Sequence, residues 1–322
     1  MKKITQLHLL FIASLFFSLF ALSGAASADF TITWTSAETD NTQAAAWGDY
    51  DGDGDLDFAV GNEPDESADE PSRIYRNEGG GFVLAWSAPS EEDSVGLAWG
   101  DYDGDGLLDL AVANQDTYNR IFRNGGGDNF TSVWDWAGGD NTYSIACGDY
   151  DLDGDLDVAV GNQTSNKVYR NSGGNSFVHV WSSLEITETY SISWADMDGD
   201  GMPDQVTGNS TENNVYRNDG SGSFSVLWSS PDSNITMDAA FGDIDADGDY
   251  DLVYANTAFS TGQVNVVYTN SGSGSFSTYW TSYEKQPTYS AAFGDYDGDG
   301  LLDLLFGNLL GDVKASQVYH NT

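Results

Sequence analysis

Asp49-Tyr50-Asp51-Gly52-Asp53-Gly54-Asp55-Leu56-Asp57 sets aspartate at every odd position of nine residues, with glycine at the sixth. In a tight loop, alternate side chains converge on one point. Carboxylates at positions 1, 3, 5 and 9, a main-chain carbonyl at position 7 and a water make an oxygen cage for a hard cation. Glycine at position 6 permits the positive φ of the sharp turn. Calcium suits this cage better than magnesium, because it accepts irregular oxygen coordination. The expected ligands are Asp49, Asp51, Asp53 and Asp57, with the carbonyl of Asp55.

Five further copies start at Asp101, Asp149, Asp196, Asp243 and Asp295, so successive starts lie 52, 48, 47, 47 and 52 residues apart. The same spacing assigns Asp101, Asp103, Asp105 and Asp109 with the Leu107 carbonyl, and Asp149, Asp151, Asp153 and Asp157 with Asp155. It assigns Asp196, Asp198, Asp200 and Asp204 with Met202, and Asp243, Asp245, Asp247 and Asp251 with Asp249. The last set is Asp295, Asp297, Asp299 and Asp303 with Leu301. Position 7 alternates between Asp and Leu or Met, as expected if only its main chain binds. Acidic solubilising turns are the alternative, but they would not need glycine at a fixed place. Without cations, each loop would suffer like-charge repulsion of roughly several kcal/mol. The expectation is about six Ca2+ ions, one per repeat. Helix-loop-helix sites are excluded, because the glutamate expected at position 12 is missing and strands flank the loop.

Each repeat adds segments of strand chemistry around its loop. A short run ending in a small residue and Asp precedes it, as in A-A-A-W-G-D at 44–49. A run such as L-D-F-A-V-G-N, ending at Asn62, follows. Then come R-I-Y-R-N to Asn77, a Gly- and Ser-rich turn, and F-x-x-x-W from Phe82 to Trp86. All are β-branched or aromatic, and Gly, Asn and Asp bound them. No window of helical length carries an apolar period of 3.6. Four strands per repeat predict an all-β, six-bladed β-propeller. The last repeat lacks F-x-x-x-W, and a spare copy, Phe30 to Trp34, precedes the first loop. The N-terminal strand is therefore expected to complete the last blade and close the ring. An open stack of repeats, or a fragment of a larger ring, is the alternative.

Lys2 and Lys3, an apolar run from Leu9 to Leu22, and Ala26-Ser27-Ala28 before Asp29 predict a signal peptide over residues 1–28. The domain is expected at 29–322, secreted, periplasmic or at the cell surface. Cys147 is the only cysteine, so no internal disulfide forms, and bound metal is the natural staple. The chain has 11 basic and 51 acidic residues. Such a surface repels nucleic acid and anionic lipid. No later run is long and apolar enough to span a bilayer.

The D-x-D-x-D-G-x-x-D loops, the small-residue-Asp step before them and the A-V-G-N strands resemble the FG-GAP or VCBS repeats of integrin α-subunit propellers and of bacterial secreted proteins. The resemblance covers nearly all of residues 29–322. It implies calcium between the first and second strands of a blade, on one face of the disc, with ligands on the opposite face or between blades. Integrin propellers have seven blades and only some carry calcium, so integrin function does not transfer. Fungal lectins with similar repeats, which bind glycans between blades, are at least as close an analogy.

On the face opposite the loops, the segments entering each inner strand align Tyr143, Tyr190 and Tyr289 near the axis, with Gln43, Val95 and Met237 in the other blades. Aromatic faces beside hydroxyls suit sugar rings; packing between blades is the competing role. Trp47, Trp99, Trp194, Phe241, Phe293 and Cys147 are expected as wedges between blades. Arg76, Arg123, Arg170 and Arg217 are expected to pair with loop aspartates. The acidic stretch Glu63 to Ser72 departs from the repeat.

Catalysis is not expected. His179 and His320, the only histidines beyond the signal segment, lie in different repeats, and no G-x-S-x-G or H-E-x-x-H motif occurs. The alternative is a polysaccharide lyase or glycosidase on the same scaffold. The expected role is binding of an extracellular glycan or protein, with calcium structural; a matrix component without a discrete ligand is the third reading. Fold alone does not choose among them.

Overall fold

The structure, a computed structural model, describes residues 10–11, 32–64, 70–90, 92–115, 117–136, 140–258, 262–308 and 316–322. All regular elements among these are strands. They form six antiparallel sheets around an axis, a six-bladed β-propeller. The first blade runs Thr42–Gly48, Asp57–Asn62, Arg73–Asn77 and Phe82–Ser87 from axis to rim. The next four blades repeat this order, with inner strands Asp93–Gly100, Thr142–Gly148, Thr189–Ala195 and Ile235–Gly242. The sixth has three strands among the described residues: Thr288–Gly294, Asp303–Asn308 and Gln317–Tyr319. Leu10–Phe11, within the expected signal peptide, pairs in parallel with Ala44 and Ala45. The other residues of that peptide lie outside those described.

Strand pairs from adjacent blades bury the core between them. One such layer joins Tyr50, Ala59 and Ile74 of the first blade to Leu97, Leu110, Phe122 and Phe130 of the second. The wedge role expected of the residue before each loop holds for Trp99 and Trp194, which stack on Tyr50 and Tyr150 of the preceding blades. Glycine is required opposite them: a Cβ on Gly48 or Gly148 would sit 2.9 or 2.8 Å from the indole.

Three repeated hydrogen bonds lock blade to blade. On the loop face, Asn124, Asn171, Asn218, Asn270 and Asn321 each donate from Nδ2 to the position 2 carbonyl of the preceding loop, at 2.7–2.8 Å. On the opposite face, Asn119, Asn213 and Asn265 donate to Thr142, Thr236 and Thr288 of the next blade at 2.8–2.9 Å. Near the axis, Ser144, Ser191 and Asp238 accept the backbone N–H of Ile192, Ala239 and Ala291 at 3.0–3.2 Å. Burial pushes the Asp238 carboxyl up to about 6, against hydrogen bonds that favour its charge.

The seam between the sixth and first blades differs. Tyr296, Leu305 and Val318 are 63%, 48% and 56% exposed. Their counterparts in the fifth blade, Ile244, Val253 and Val267, are buried. Trp47, expected as a wedge, is half exposed, because its place is at this seam. Trp34 nevertheless packs against Phe58, Tyr75 and Phe82 of the first blade at 5.4–5.8 Å. Trp86 packs in the same way on Phe122 and Phe130 of the second blade. Residues 32–41 form no strand, and Phe30 lies outside the described residues.

Candidate metal loops and axial tyrosines

Each loop joins the inner strand to the second strand, so all six lie on one face of the disc. Its backbone is fixed by its own carboxylates. The position 1 aspartate accepts the position 6 N–H in every copy, from Asp49 with Gly54 at 3.0 Å to Asp295 with Gly300 at 3.0 Å. The position 5 aspartate accepts the position 7 N–H in every copy at 2.9–3.1 Å. Glycine at position 6 sits at φ 89–99° throughout, as the turn requires. Position 4 is also left-handed, which the sequence analysis missed: Leu152 and Ala246 adopt φ 57° and 60° there.

Position 9 is the anchor. Asp57, Asp109, Asp157, Asp204, Asp251 and Asp303 are buried. Each accepts the position 2 N–H on Oδ2 and, on Oδ1, the N–H of the asparagine that ends the third strand. These residues therefore tie the loop to the third strand whatever else they bind.

Carboxylate oxygens of positions 1, 3 and 9 come within 4.8 Å of one another in the second, third and fourth loops. Asp49, Asp51 and Asp53 do so in the first, and Asp297, Asp299 and His320 in the sixth. Oδ1 of Asp49 and Oδ1 of Asp151 are buried without a hydrogen-bond partner. A buried carboxylate oxygen without a donor is costly, and a cation would satisfy it. Burial raises the anchor carboxyls Asp109 and Asp204 to about 6 and Asp157 to about 7, and neighbouring loop carboxylates push the same way. The all-oxygen donor sets of the first four loops fit a hard divalent ion, while the sixth adds a His320 nitrogen. Such an ion would neutralise the loop and tie the two strands it joins.

Arginine pairing with the loops holds in three blades. Arg123 pairs with Asp103 and Asp105, Arg170 with Asp151 and Asp153, and Arg217 with Asp198 and Asp200. Arg76 is the exception: it turns to Glu78 and to Asp128 of the next blade, both at 2.6 Å. His320 takes the arginine's place in the sixth blade, 3.1 Å from Asp303. A histidine at the position that carries arginine in the first four repeats was the available sign of this.

On the opposite face, each inner strand carries a one-residue register shift against the second strand. The shifted residues are Gln43, Val95, Tyr143, Tyr190, Met237 and Tyr289, so a bulge aims each of them. Tyr143 and Tyr190 lie 5.2 Å apart between ring centroids, at 48°. Both are half-buried, while Tyr289 is buried. Tyr190 donates to Glu188 at 2.7 Å. Burial, then Glu188, raises its hydroxyl, with smaller contributions from Tyr143 and Tyr289. The threonines beside them are structural, each donating to the asparagine that closes its second strand, as Thr189 does to Asn209 at 2.7 Å. In the acidic stretch, Glu63 accepts from Asn41 and Gln43, and Glu70 accepts the Asn41 N–H; residues 65–69 lie outside those described.

A family model described as FG-GAP-like repeat matches residues 49–112, 101–160, 149–207, 196–254 and 243–306. The chain belongs to this family. Each matched window runs from one loop through the next, so five windows cover all six loops of this FG-GAP-like chain. Solved structures show the same fold. A lectin of Agrocybe aegerita, studied for its specific recognition of non-reducing terminal N-acetylglucosamine, aligns at 19% identity with a TM-score of 0.54, over 83% of this chain and 75% of the lectin. BBS1N in complex with ARL6DN aligns at 14% identity and a TM-score of 0.56, over 86% and 77%. No curated protein matches the chain. No helix among the described residues is long and apolar enough to cross a membrane.

Proposed function

We propose that this FG-GAP-like propeller is exported and stapled by about six calcium ions, and that it works as a binding module for extracellular glycans. The observation that carries the calcium reading is the pair of buried, unpartnered carboxylate oxygens on Asp49 and Asp151, set in loops whose other carboxylates crowd around them. Oxygen ligands on loops between strands suit extracellular calcium, with affinities on the order of 10⁻⁴ to 10⁻³ M. The glycan reading is favoured by Tyr143 and Tyr190, half-buried and aimed by bulges to one side of the axis with Glu188 beside them. Aromatic faces next to acceptors match the apolar and polar sides of a sugar ring. The likeness to a lectin agrees with this reading.

Two measurements test it. The chain from Asp29 to Thr322 is melted with millimolar calcium and with excess chelator, and bound calcium is counted by calorimetry. About six ions and a large fall in melting temperature on chelation are expected; no bound calcium would remove the staple. A glycan array in calcium should then give binding that Tyr190→Ala weakens by about tenfold or more, without lowering the melting temperature in calcium. Capture of one stoichiometric protein and no glycan would replace the ligand class. Turnover of a polysaccharide would make the chain an enzyme.

We also propose that the segment ending at Trp34 supplies the fourth strand of the sixth blade. Trp34 already sits on the first blade where every other rim tryptophan sits on the blade after its own.

A further inference from the structure

The six loops share a motif but not their surroundings. The residue just before Asn77, Asn124, Asn171, Asn218, Asn270 and Asn321 is Arg76, Arg123, Arg170, Arg217, Thr269 and His320 in turn. In the third blade, Arg170 lies 2.8 Å from Oδ2 of Asp151 and 2.8 Å from Oδ2 of Asp153. Oδ1 of Asp153 is already taken by the Asp155 N–H at 3.0 Å. Arg217 repeats this on Asp198 and Asp200 at 2.8 and 3.0 Å, with the Met202 N–H on Oδ1 of Asp200. Arg123 repeats it on Asp103 and Asp105. In these loops both oxygens of the position 5 carboxylate are occupied, one by backbone and one by a guanidinium. The guanidinium thus neutralises part of the charge that these carboxylates bring together.

The fifth loop has no such cation. Thr269 stands in the arginine's place. Among the described residues, no arginine pairs with Asp243, Asp245, Asp247 or Asp249. The first loop shows where a displaced arginine goes: Arg76 leaves its loop for Glu78 and Asp128.

We infer that the arginine is a resident counter-cation that competes with the metal, so that the fifth loop takes a divalent ion at lower concentration than the loops of the second, third and fourth blades. This rests on the calcium reading above. An entering ion needs oxygens at positions 1, 3 and 5. In the arginine-held loops it must draw the position 5 carboxylate away from the guanidinium that bridges positions 3 and 5, and then sit beside a like charge. The arginines are 42–50% exposed, so water and salt screen the repulsion, and a penalty of about three- to thirtyfold in affinity per site is reasonable.

The test is calcium titration of the chain from Asp29 to Thr322, by calorimetry and by competition with a chromophoric chelator. The wild type should show at least two affinity classes. Thr269→Arg should weaken one tight site roughly tenfold, and Arg170→Thr should tighten one weak site by a similar factor. Arg170→Lys, which keeps the charge, should stay close to wild type. Melting gives a second readout. Arg170→Thr should lower the melting temperature in chelator, where the counter-cation is lost, and enlarge the rise on adding calcium. A single affinity for all sites, with both substitutions silent, overturns this inference and leaves the calcium reading standing. No calcium binding by the wild type overturns both. If Thr269→Arg does not fold, Arg170→Thr alone decides.

Discussion

Leu152 and Ala246 occupy the fourth position of their loops at φ 57° and 60°, where the other four loops carry glycine at φ 73–79°. A side chain in the left-handed region costs about 1 kcal/mol. Ala246→Gly is therefore expected to stabilise the protein by about that amount in denaturant unfolding. Asp238 is a second residue-scale case. Its carboxyl titrates at about 6 in the folded chain, above the ordinary 3.8, because burial disfavours its charge. The protonated acid's contribution is thus full below about pH 4 and is lost as the pH rises through 6. Asp238→Asn should flatten the pH profile of stability across that window, by on the order of 2–3 kcal/mol. At this scale the sequence was half legible. Asp and Gly spacing located every loop, but position 9 reads as one more ligand until Asp57 and its equivalents are seen gripping two backbone N–H groups each. Asp238 stands outside the motif, and only its blade position gives it meaning.

Strands carried the clearest message, because β-branched runs bounded by Gly and Asn survive in every repeat. What they hide is how blades join. The asparagine of Tyr-Arg-Asn looks like a turn residue, yet Asn218 bonds the Tyr150 carbonyl of the previous blade at 2.7 Å and the Pro203 carbonyl at 2.9 Å. Asn218→Ala leaves two buried acceptors and should cost about 1–3 kcal/mol in denaturant unfolding with calcium present. The bulges were equally invisible. Each inserts one residue just after the threonine or serine near the start of an inner strand, and the residue it aims, tyrosine in three blades, is chemically ordinary for a strand. Arg76 departs from its three counterparts by reaching Asp128 of the next blade; an acid two residues on does not suffice, since Arg217 has Asp219 there and stays on its loop, and Asp128 is too distant in sequence for local pattern to record.

Across the whole molecule, repeat number and blade order followed from the period, since four short strands every 47–52 residues make one propeller blade. Closure is the point the strands alone do not decide. In the five other blades, the third-strand residue before the central tyrosine or phenylalanine pairs with the rim tryptophan, as Ile74 does with Trp86 and Val267 with Trp280. The same register places Trp34 opposite Val318 and Thr35 opposite Gln317. Thr35→Cys with Gln317→Cys, in a Cys147→Ala background, should form a disulfide under mild oxidation, seen as a gel shift reversed by reductant. Persistent free thiols would show that the segment stays off the sixth blade.

The repeat also sets how the molecule would come apart under tension. Each blade is hydrogen-bonded within itself and held to its neighbours by an apolar layer and a few side-chain bonds, and the exposed seam between the sixth and first blades is the weakest of these joints. A chain stretched by its ends would shed blades one after another from the terminal seam. Each would release a contour of about 160 Å, the extended length of one repeat. The force trace would be a ladder of even steps, and added calcium would raise its height without changing its spacing.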